Sequence, residues 1–235
     1  MIDMFVLVMF SAFFLYFGVP WIYGRCNRVL LKRRAIRSRA LVLTLDDGPG
    51  NHLTPEILEI LKKHELKATF FVLGRSAAGR EAIVRQISTG GHEIGSHGYE
   101  HLHYWKVSPF RAIADIKRGW KTIDEALGEK RRVYPFRPPY GKLNLFCLLY
   151  LWFHGVPICY WTLDSSDIWP SGKPDSRRSA RLAAMAGGAV LLVHDFDRHN
   201  RDRDRMVIDS INSTLAMAKE NGMRVMPLEE LRRVN

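Results

Sequence analysis

The feature that most restricts the fold is a regular alternation, from Ala40 onward, of short apolar runs with amphipathic stretches. The apolar runs have strand length and no polar face, which is typical of parallel strands buried on both sides. The predicted strands cover residues 40–46, 68–73, 92–96, 134–137, 156–164, 189–194 and 224–228. The predicted helices cover residues 54–64, 78–88, 108–127, 144–154, 178–186 and 204–220. About seven βα units favour an α/β fold, a distorted (β/α) barrel of about seven parallel strands, over an open doubly wound sheet.

An apolar segment precedes this domain. The twenty residues from Met4 to Tyr23 carry no charge, and as a helix they would be about 30 Å long, enough to cross a bilayer. No basic residue precedes the segment and no small-x-small cleavage site follows it, so it is predicted to be one uncleaved N-terminal transmembrane helix. A buried helix and a signal peptide are the alternatives.

The net charge of +11 suggests an anionic partner, and its distribution indicates which one. Residues 1–39 hold seven basic residues and one acid, which is more than half of the excess. A basic cluster after an apolar span is typical of contact with anionic headgroups, so we expect a membrane partner and no nucleic acid. The positive-inside rule predicts a single-pass cell-membrane protein with its domain in the cytoplasm. The predicted parts are a transmembrane anchor (1–24), a basic juxtamembrane linker (25–39) and a globular domain (40–235).

Polar side chains follow five of the predicted strands, at the point where each strand ends. They are Asp46 and Asp47, His97 and His101, Arg137, Asp164 and Asp167, and His194. In a β/α barrel all strand C-termini open on the same face, and that face carries the active site. The sequence therefore predicts that these side chains converge on one rim.

Two of these clusters together suggest a metal site. His97 and His101 are four residues apart, a spacing that metal sites use, and an Asp with two His gives three ligands with open positions, typical of a catalytic metal. Zinc is the first candidate, and Fe(II), Co(II) or Ni(II) suit the same donors. Taken alone, each cluster has an ordinary alternative: Asp-Asp-Gly-Pro (46–49) is a common turn, and a His pair is often simply on the surface.

Five stretches of the chain, in order, resemble the motifs of the NodB-homology polysaccharide deacetylase family. They are LTLDDGP (43–49), HGYEH (97–101), FRPPYG (136–141), DSSDIW (164–169) and VLLVHD (190–195). The resemblance covers roughly Ala40 to Leu228. Two positions depart from the family pattern: Gly98 stands where a Ser or Thr is usual, and Ile168 separates Asp167 from Trp169.

The resemblance implies a role for each matching residue. Asp46 would be the catalytic base and His194 the general acid, with Arg137 orienting the base and Asp167 tuning the acid. The metal ligands would be Asp47, His97 and His101. The substrate contacts would be the backbone N–H of Tyr140 at the oxyanion, Leu192 in the acyl pocket and Trp169 as a wall of the groove.

The chemistry of amide hydrolysis needs these residue types. A divalent ion brings the pKa of water to about 7, a carboxylate accepts a proton, and a His beside a carboxylate protonates the leaving amine near neutral pH. The sequence therefore predicts a metal-dependent amide hydrolase, and the resemblance implies a carbohydrate N-deacetylase that removes an acetyl or formyl group from an amino sugar.

The predicted helix 144–154 bears on the substrate. No charge occurs between Leu143 and Leu163, so this helix is apolar all round and is either packed against a partner or in contact with lipid. Lipid contact would bring the rim to the bilayer and favour a lipid-linked glycan as substrate. Two competing hypotheses are a membrane-tethered basic binding protein, for anionic lipid or nucleic acid, and an inactive enzyme with the deacetylase fold.

Overall fold

The computed structural model describes residues 2–130, 133–168 and 177–234. Its six strands are all parallel and form one sheet in the order β3-β2-β1-β5-β4, with β6 paired to the start of β1. The strands are β1 (Ala40–Asp46), β2 (Thr69–Val72), β3 (Glu93–Ser96), β4 (Leu163–Asp164), β5 (Ala189–His194) and β6 (Arg224–Val225). The predicted strands 40–46 and 189–194 are confirmed with the same bounds.

The helices alternate with these strands from β1 onward. They are α1 (Ile2–Phe13), α2 (Val19–Arg37), α3 (Leu53–Lys63), α4 (Gly74–Ala77), α5 (Glu81–Thr89), α6 (Pro109–Leu127), α7 (Leu145–Phe153), α8 (Arg178–Ala186), α9 (Arg201–Glu220) and α10 (Leu228–Arg233). A π-helical turn (Phe14–Gly18) joins α1 to α2, and a 3₁₀ turn covers Pro139–Gly141. The parallel α/β architecture is therefore confirmed.

The expected seven-strand barrel is not confirmed, because the described residues form six strands. Predicted strand 134–137 makes single bridges at Phe136, to Ser96 and to Ile158, and only Leu163–Asp164 of predicted strand 156–164 is a strand. Pro135, Pro138 and Pro157 lack the backbone N–H that a ladder requires, so hydrogen bonding at these positions is interrupted.

The core lies on both sides of β1. Leu41, Leu43 and Leu45 join one apolar cluster, whereas Ala40 and Val42 belong to a second cluster on the other side. Because side chains alternate along a strand, Thr44 and Asp46 point to the side of this second cluster. Both residues are buried. This parity directs polar groups of β1 into the protein interior.

Residues 25–37, expected as a linker, continue α2 and pack on the domain. Leu31 and Ala35 are buried in the second cluster, and a Cβ on Gly188, just before β5, would lie 2.2 Å from the Ala35 carbonyl oxygen. At the other end of α2, a Cβ on Gly24 would lie 3.0 Å from the Tyr160 ring. The helix thus runs antiparallel to the strands, and its N-terminal end lies at the edge where the strands end.

Within the described residues, one helical segment, Val6–Arg37, is long and apolar enough to cross a membrane. Only 6% of its most apolar window is buried, which is unlike a core helix. A signal sequence has the same length and composition, so the transmembrane assignment stays a prediction.

Candidate active site

The carboxyl ends of neighbouring strands bring the predicted polar residues together. Asp46 and His194 end β1 and β5 and are register partners, and His97 directly follows β3. The ligating atoms of Asp47, His97 and His101 all lie within 4.8 Å of one another. The expected convergence on one edge is therefore present in the structure.

Asp46 is buried against an equally buried arginine. Arg137 Nη1 donates to Asp46 Oδ1 at 2.8 Å and to Thr44 Oγ1 at 2.7 Å, and Nη2 donates to the Tyr160 carbonyl at 3.1 Å. The guanidinium also lies 4.1 Å from the centre of the Phe71 ring. These contacts fix Arg137 in place, so one oxygen of Asp46 is held while Oδ2 faces His97 Nε2 at 3.8 Å.

Burial raises the pKa of Asp46, and the charge and hydrogen bond of Arg137 oppose that rise. A carboxylate with a raised pKa is a stronger base than an exposed one, provided that it is ionised. Arg137 supplies the positive charge that favours the ionised form.

Asp47, His97 and His101 fit a divalent metal ion. Asp47 Oδ1 is buried without a hydrogen-bond partner and lies 3.6 Å from His97 Nε2 and 3.4 Å from His101 Nε2. His97 Nδ1 donates to the Arg137 carbonyl at 2.7 Å, which leaves Nε2 with a free lone pair. Burial lowers the pKa of His97 to about 3, so this imidazole is neutral, the form that ligates metal.

Three of the site residues have left-handed backbone conformations. Asp47, His101 and Tyr140 have φ angles of 72°, 59° and 56°, which non-glycine residues rarely adopt. Such conformations cost about 1–3 kcal/mol each and cluster at functional sites. The chain therefore bends sharply where it presents two candidate ligands and the Pro-Tyr-Gly turn.

His194, the register partner of Asp46, is hydrogen-bonded to Asp167. His194 Nδ1 donates to Asp167 Oδ1 at 3.0 Å, and the His194 backbone N–H donates to Oδ2 at 3.1 Å. Arg198 Nη2 donates to the same Oδ2 at 2.5 Å. Burial lowers the pKa of His194, but the hydrogen bond and charge of Asp167 outweigh it and raise the pKa to about 9. Burial likewise raises the pKa of Asp167, but His194 and Arg198 hold it below its usual value.

The structure describes two of the three predicted substrate contacts. Tyr140 is 56% exposed, with its ring 4.5 Å from the His101 ring. Leu192 is buried on β5 beside Thr44 of β1. Trp169 lies outside the described residues, so the groove wall assigned to it stays a prediction.

Asp115, which no sequence motif indicates, organises the loop that carries the two histidines. This buried carboxylate of α6 accepts from the backbone N–H groups of Tyr99 (3.1 Å) and Glu100 (2.8 Å) and from the Tyr104 hydroxyl (2.8 Å). A Cβ on Gly98, where φ is +79°, would lie 2.5 Å from the carboxylate. The loop geometry thus explains the glycine at this position.

Asp195 was also missed, although its neighbour His194 was predicted. This buried carboxylate accepts from the Gly48 N–H at 3.1 Å and from Thr54 Oγ1 at 2.6 Å. Burial raises its pKa to about 7. Asp195 therefore anchors the Asp-Asp-Gly-Pro turn. Its place at the end of the VLLVHD stretch was the feature of the sequence that could have indicated it.

The sequence model of the polysaccharide deacetylase family matches residues 33–156. A peptidoglycan-N-acetylglucosamine deacetylase of Listeria monocytogenes is 31% identical over 200 residues, which are 84% of this chain and 40% of that protein. The chain thus spans 40% of the length of this relative. A chitooligosaccharide deacetylase of Rhizobium leguminosarum bv. trifolii is 32% identical over 157 residues, 67% of this chain and 72% of the relative.

Solved structures share the fold. A peptidoglycan N-acetylglucosamine deacetylase in complex with an N-oxidanyl-benzamide has a TM-score of 0.73 at 27% identity, covering 83% of this chain and 88% of that one. The chitin deacetylase of Colletotrichum lindemuthianum has a TM-score of 0.70 at 26% identity, covering 83% and 87%. A CE4 family pseudoenzyme from Bacillus anthracis has a TM-score of 0.69 at 26% identity, covering 83% and 65%.

Proposed function

The chain belongs to the polysaccharide deacetylase family, and from this premise we propose that it is a metal-dependent hydrolase of the N-acyl amide of an amino sugar. One observation carries the proposal: the buried Asp46–Arg137 pair adjoins the cluster of Asp47, His97 and His101. We also propose that the sheet closes into the seven-strand barrel, because the bridges at Phe136 continue the sheet beyond β3.

A divalent ion held by Asp47, His97 and His101 would polarise the acyl carbonyl and lower the pKa of the attacking water. Asp46 takes the proton from that water at Oδ2, because Oδ1 is engaged by Arg137. The buried guanidinium keeps the base ionised beforehand and oriented during the transfer. Zinc is the first candidate among divalent ions, and Co(II), Ni(II) and Fe(II) suit the same N and O donors.

His194 supplies the proton that the leaving amine needs. Its Nδ1 is bound to Asp167, so Nε2 is the atom that can donate. A pKa of about 9 keeps the ring protonated at neutral pH. The Tyr140 N–H would donate to the oxyanion, a contact worth about 3–4 kcal/mol, and Leu192 and Trp169 would line the acyl pocket and the groove.

Chelation of the full chain tests the metal-dependent step. Dialysis against a chelator should abolish acetate release from a chito-oligosaccharide, and addition of Zn(II), Co(II) or Ni(II) should restore it. Undiminished release by metal-free protein would contradict the proposal. If no metal and no N-acylated sugar gives acetate release, the binding-protein alternative is favoured. The similar fold of a pseudoenzyme is a precedent for an inactive member of the family.

The orientation of α2 supports a membrane location for the catalytic edge. Because its N-terminal end adjoins Tyr160, the apolar segment leaves the domain on the side of the active site. Phe17 of that segment contacts the Trp105 ring at 5.3 Å, and Tyr16 contacts the Phe146 ring at 6.1 Å. We infer that the domain lies against the bilayer with its active site towards the headgroups.

Helix α7 extends this apolar surface. Phe146 and Leu149, in the first two turns of α7 next to the Pro-Tyr-Gly turn, are 52% and 36% exposed, and exposed apolar residues beside an apolar helix are typical of membrane contact. The basic residues that follow the apolar segment favour a cytoplasmic domain in a single-pass cell-membrane protein. An N-acylated amino sugar linked to a membrane lipid is the substrate that this arrangement could reach.

Substitutions on α7 test the membrane part. The double variant Phe146→Ser, Leu149→Ser should raise KM for a lipid-linked acetamido sugar in vesicles without raising KM for a soluble chito-oligosaccharide. The control is Met185→Ser, because Met185 is 84% exposed and lies near the end of the strands that is opposite to the active site. Equal effects on both substrates would contradict membrane contact. Protease protection of the domain in intact cells, compared with opened vesicles, tests on which side of the membrane the domain lies.

A further inference from the structure

Arg28 of α2 reaches the edge of the active site. Its guanidinium carbon lies 4.9 Å from the centre of the Tyr160 ring and 4.8 Å from that of Trp161. Its Nη2 lies 2.7 Å from the position that a Cβ on Gly141 would occupy, so it adjoins the turn that carries Tyr140. Arg28 thus brings α2 into contact with this turn.

The Arg28 guanidinium lacks an acceptor within the part of the chain that the structure describes. Two arginines of similar burial have one: Arg34 donates to the Arg232 carbonyl at 3.2 Å, and Arg232 donates to Glu93 at 2.7 Å. Arg28 instead makes ring contacts, although it is half-buried and carries five N–H donors. A partly desolvated guanidinium without an acceptor is unfavourable, and it attracts an anion.

The neighbouring charges reinforce that attraction. The Arg137 guanidinium lies 5.7 Å from the centre of the same Trp161 ring, but Asp46 offsets its charge, so the net positive charge here comes from other residues. Lys142, which follows Gly141, places its ammonium 4.4 Å from the Trp105 ring. The edge of the site next to the Pro-Tyr-Gly turn is therefore positively charged.

The position along α2 indicates which anion would be present. Arg28 follows the uncharged segment, which ends at Tyr23, by five residues, or about 7.5 Å along a helix axis. The polar layer on each side of a bilayer is about 5–8 Å thick, so a membrane-spanning segment would set Arg28 at the depth of phosphate groups. The planar guanidinium matches phosphate oxygens in a bidentate manner.

We propose that Arg28 binds a phosphate group of the substrate, beside the turn that holds Tyr140. This rests on the proposed function and specifies its substrate as an N-acylated amino sugar carrying a phosphodiester, the linkage that joins a sugar to a membrane lipid. Binding of the phosphate at Arg28 would hold the sugar over Asp46 and the candidate metal ligands.

Two substrates that differ only in the phosphate provide the test. N-acetylglucosamine is joined to one short polyprenyl chain either through a phosphodiester or through a neutral ether, and both are assayed with the full chain in phosphatidylcholine nanodiscs. The readout is the ratio of the two kcat/KM values. Wild type should prefer the phosphodiester about 10- to 100-fold, and Arg28→Gln should remove most of this preference through KM.

Two further variants separate charge from packing. Arg28→Lys should keep part of the preference, because it retains a positive charge. Arg33→Gln removes the same charge from an exposed position of α2 and should leave the ratio at the wild-type value. An unchanged ratio in Arg28→Gln, with both substrates slowed equally, would mean a structural role and would overturn the proposal.

The source of the phosphate is separated by changing the lipid. If Arg28 binds phospholipid headgroups, the Arg28→Gln effect should depend on the fraction of phosphatidylglycerol and be equal for both substrates, which would overturn the substrate assignment. Failure of the proposed function has a different signature: metal-loaded wild type would release acetate from neither substrate. Hydrolysis of both at equal rates would overturn the phosphate site alone.

Discussion

At the scale of residues, the Asp46 carboxylate has two different oxygens. Oδ1 is bound by Arg137 at 2.8 Å, whereas Oδ2 faces the His97 imidazole. Asp46→Asn keeps the size of the side chain and removes the base, so kcat should fall about 10²- to 10⁴-fold with metal still bound. The measurements are acetate release and metal content on one preparation. A wild-type rate would mean that another group is the base.

The pH dependence of the reaction should report on His194. Its ring must be protonated to donate, so activity should persist below a pKa of about 9 and fall as the pH rises through that value. Asp167→Asn removes the carboxylate that raises the pKa, and the alkaline limb should move to lower pH, towards the ordinary histidine value of 6.5. A profile of kcat/KM against pH checks this. An alkaline limb unaffected by Asp167→Asn would exclude the pair from this role.

The residues at strand ends could be predicted from the sequence, because the motifs place them directly after apolar runs. Asp115 could not, since it lies in a helix whose amphipathic pattern gives no sign of a contact with a loop fifteen residues away. Gly98 looked like a departure from the family pattern. Only the contact with Asp115 shows why a side chain at this position would collide.

At the scale of elements, α6 supports the loop with the two histidines through Asp115. Asp115→Asn keeps the size of the side chain but loses one acceptor oxygen, so backbone N–H groups of the loop lose a partner. We expect metal affinity to fall about 10-fold or more, as it does when other supporting groups around metal sites are removed. The measurement is a competition titration with a chelator, and Glu125→Gln, exposed on the same helix, is the matched control.

Helix α2 belongs to the core of the domain as well as to the apolar segment. Leu31 is buried, whereas its neighbour Leu30 is 54% exposed. Leu31→Ala should lower the free energy of unfolding by about 2–5 kcal/mol, because it leaves a cavity in the core. Leu30→Ala should change it by less than about 0.5 kcal/mol. Thermal unfolding of both variants in the same detergent checks the difference, and equal values would contradict the packing of α2.

The sequence predicted most elements, and proline explains two of the differences. Strands β1 and β5 have the predicted bounds because their apolar runs contain no proline. The runs 134–137 and 156–164 are equally apolar, but Pro135 and Pro157 remove ladder donors, so bridges replace strands. The basic segment was expected as a linker because its charges concealed two buried positions, Leu31 and Ala35.

At the scale of the whole molecule, α2 relates the apolar segment to the active site. The sequence indicated both features but not their relative position, because the direction of the helix depends on packing between residues that are far apart in the chain. Gly24 beside Tyr160 and Gly188 beside Ala35 fix that direction. The catalytic edge and the apolar segment consequently lie at the same end of the domain.

The proposed function requires that Asp47, His97 and His101 hold a metal ion on which the amide hydrolysis depends. The most direct test measures bound metal and acetate release on the same samples of full-chain wild type and His97→Ala, with the exposed His154→Ala as control. We expect about one divalent ion per chain and activity in wild type and control, and loss of both in His97→Ala. Full activity of His97→Ala protein that contains no metal would contradict the metal requirement.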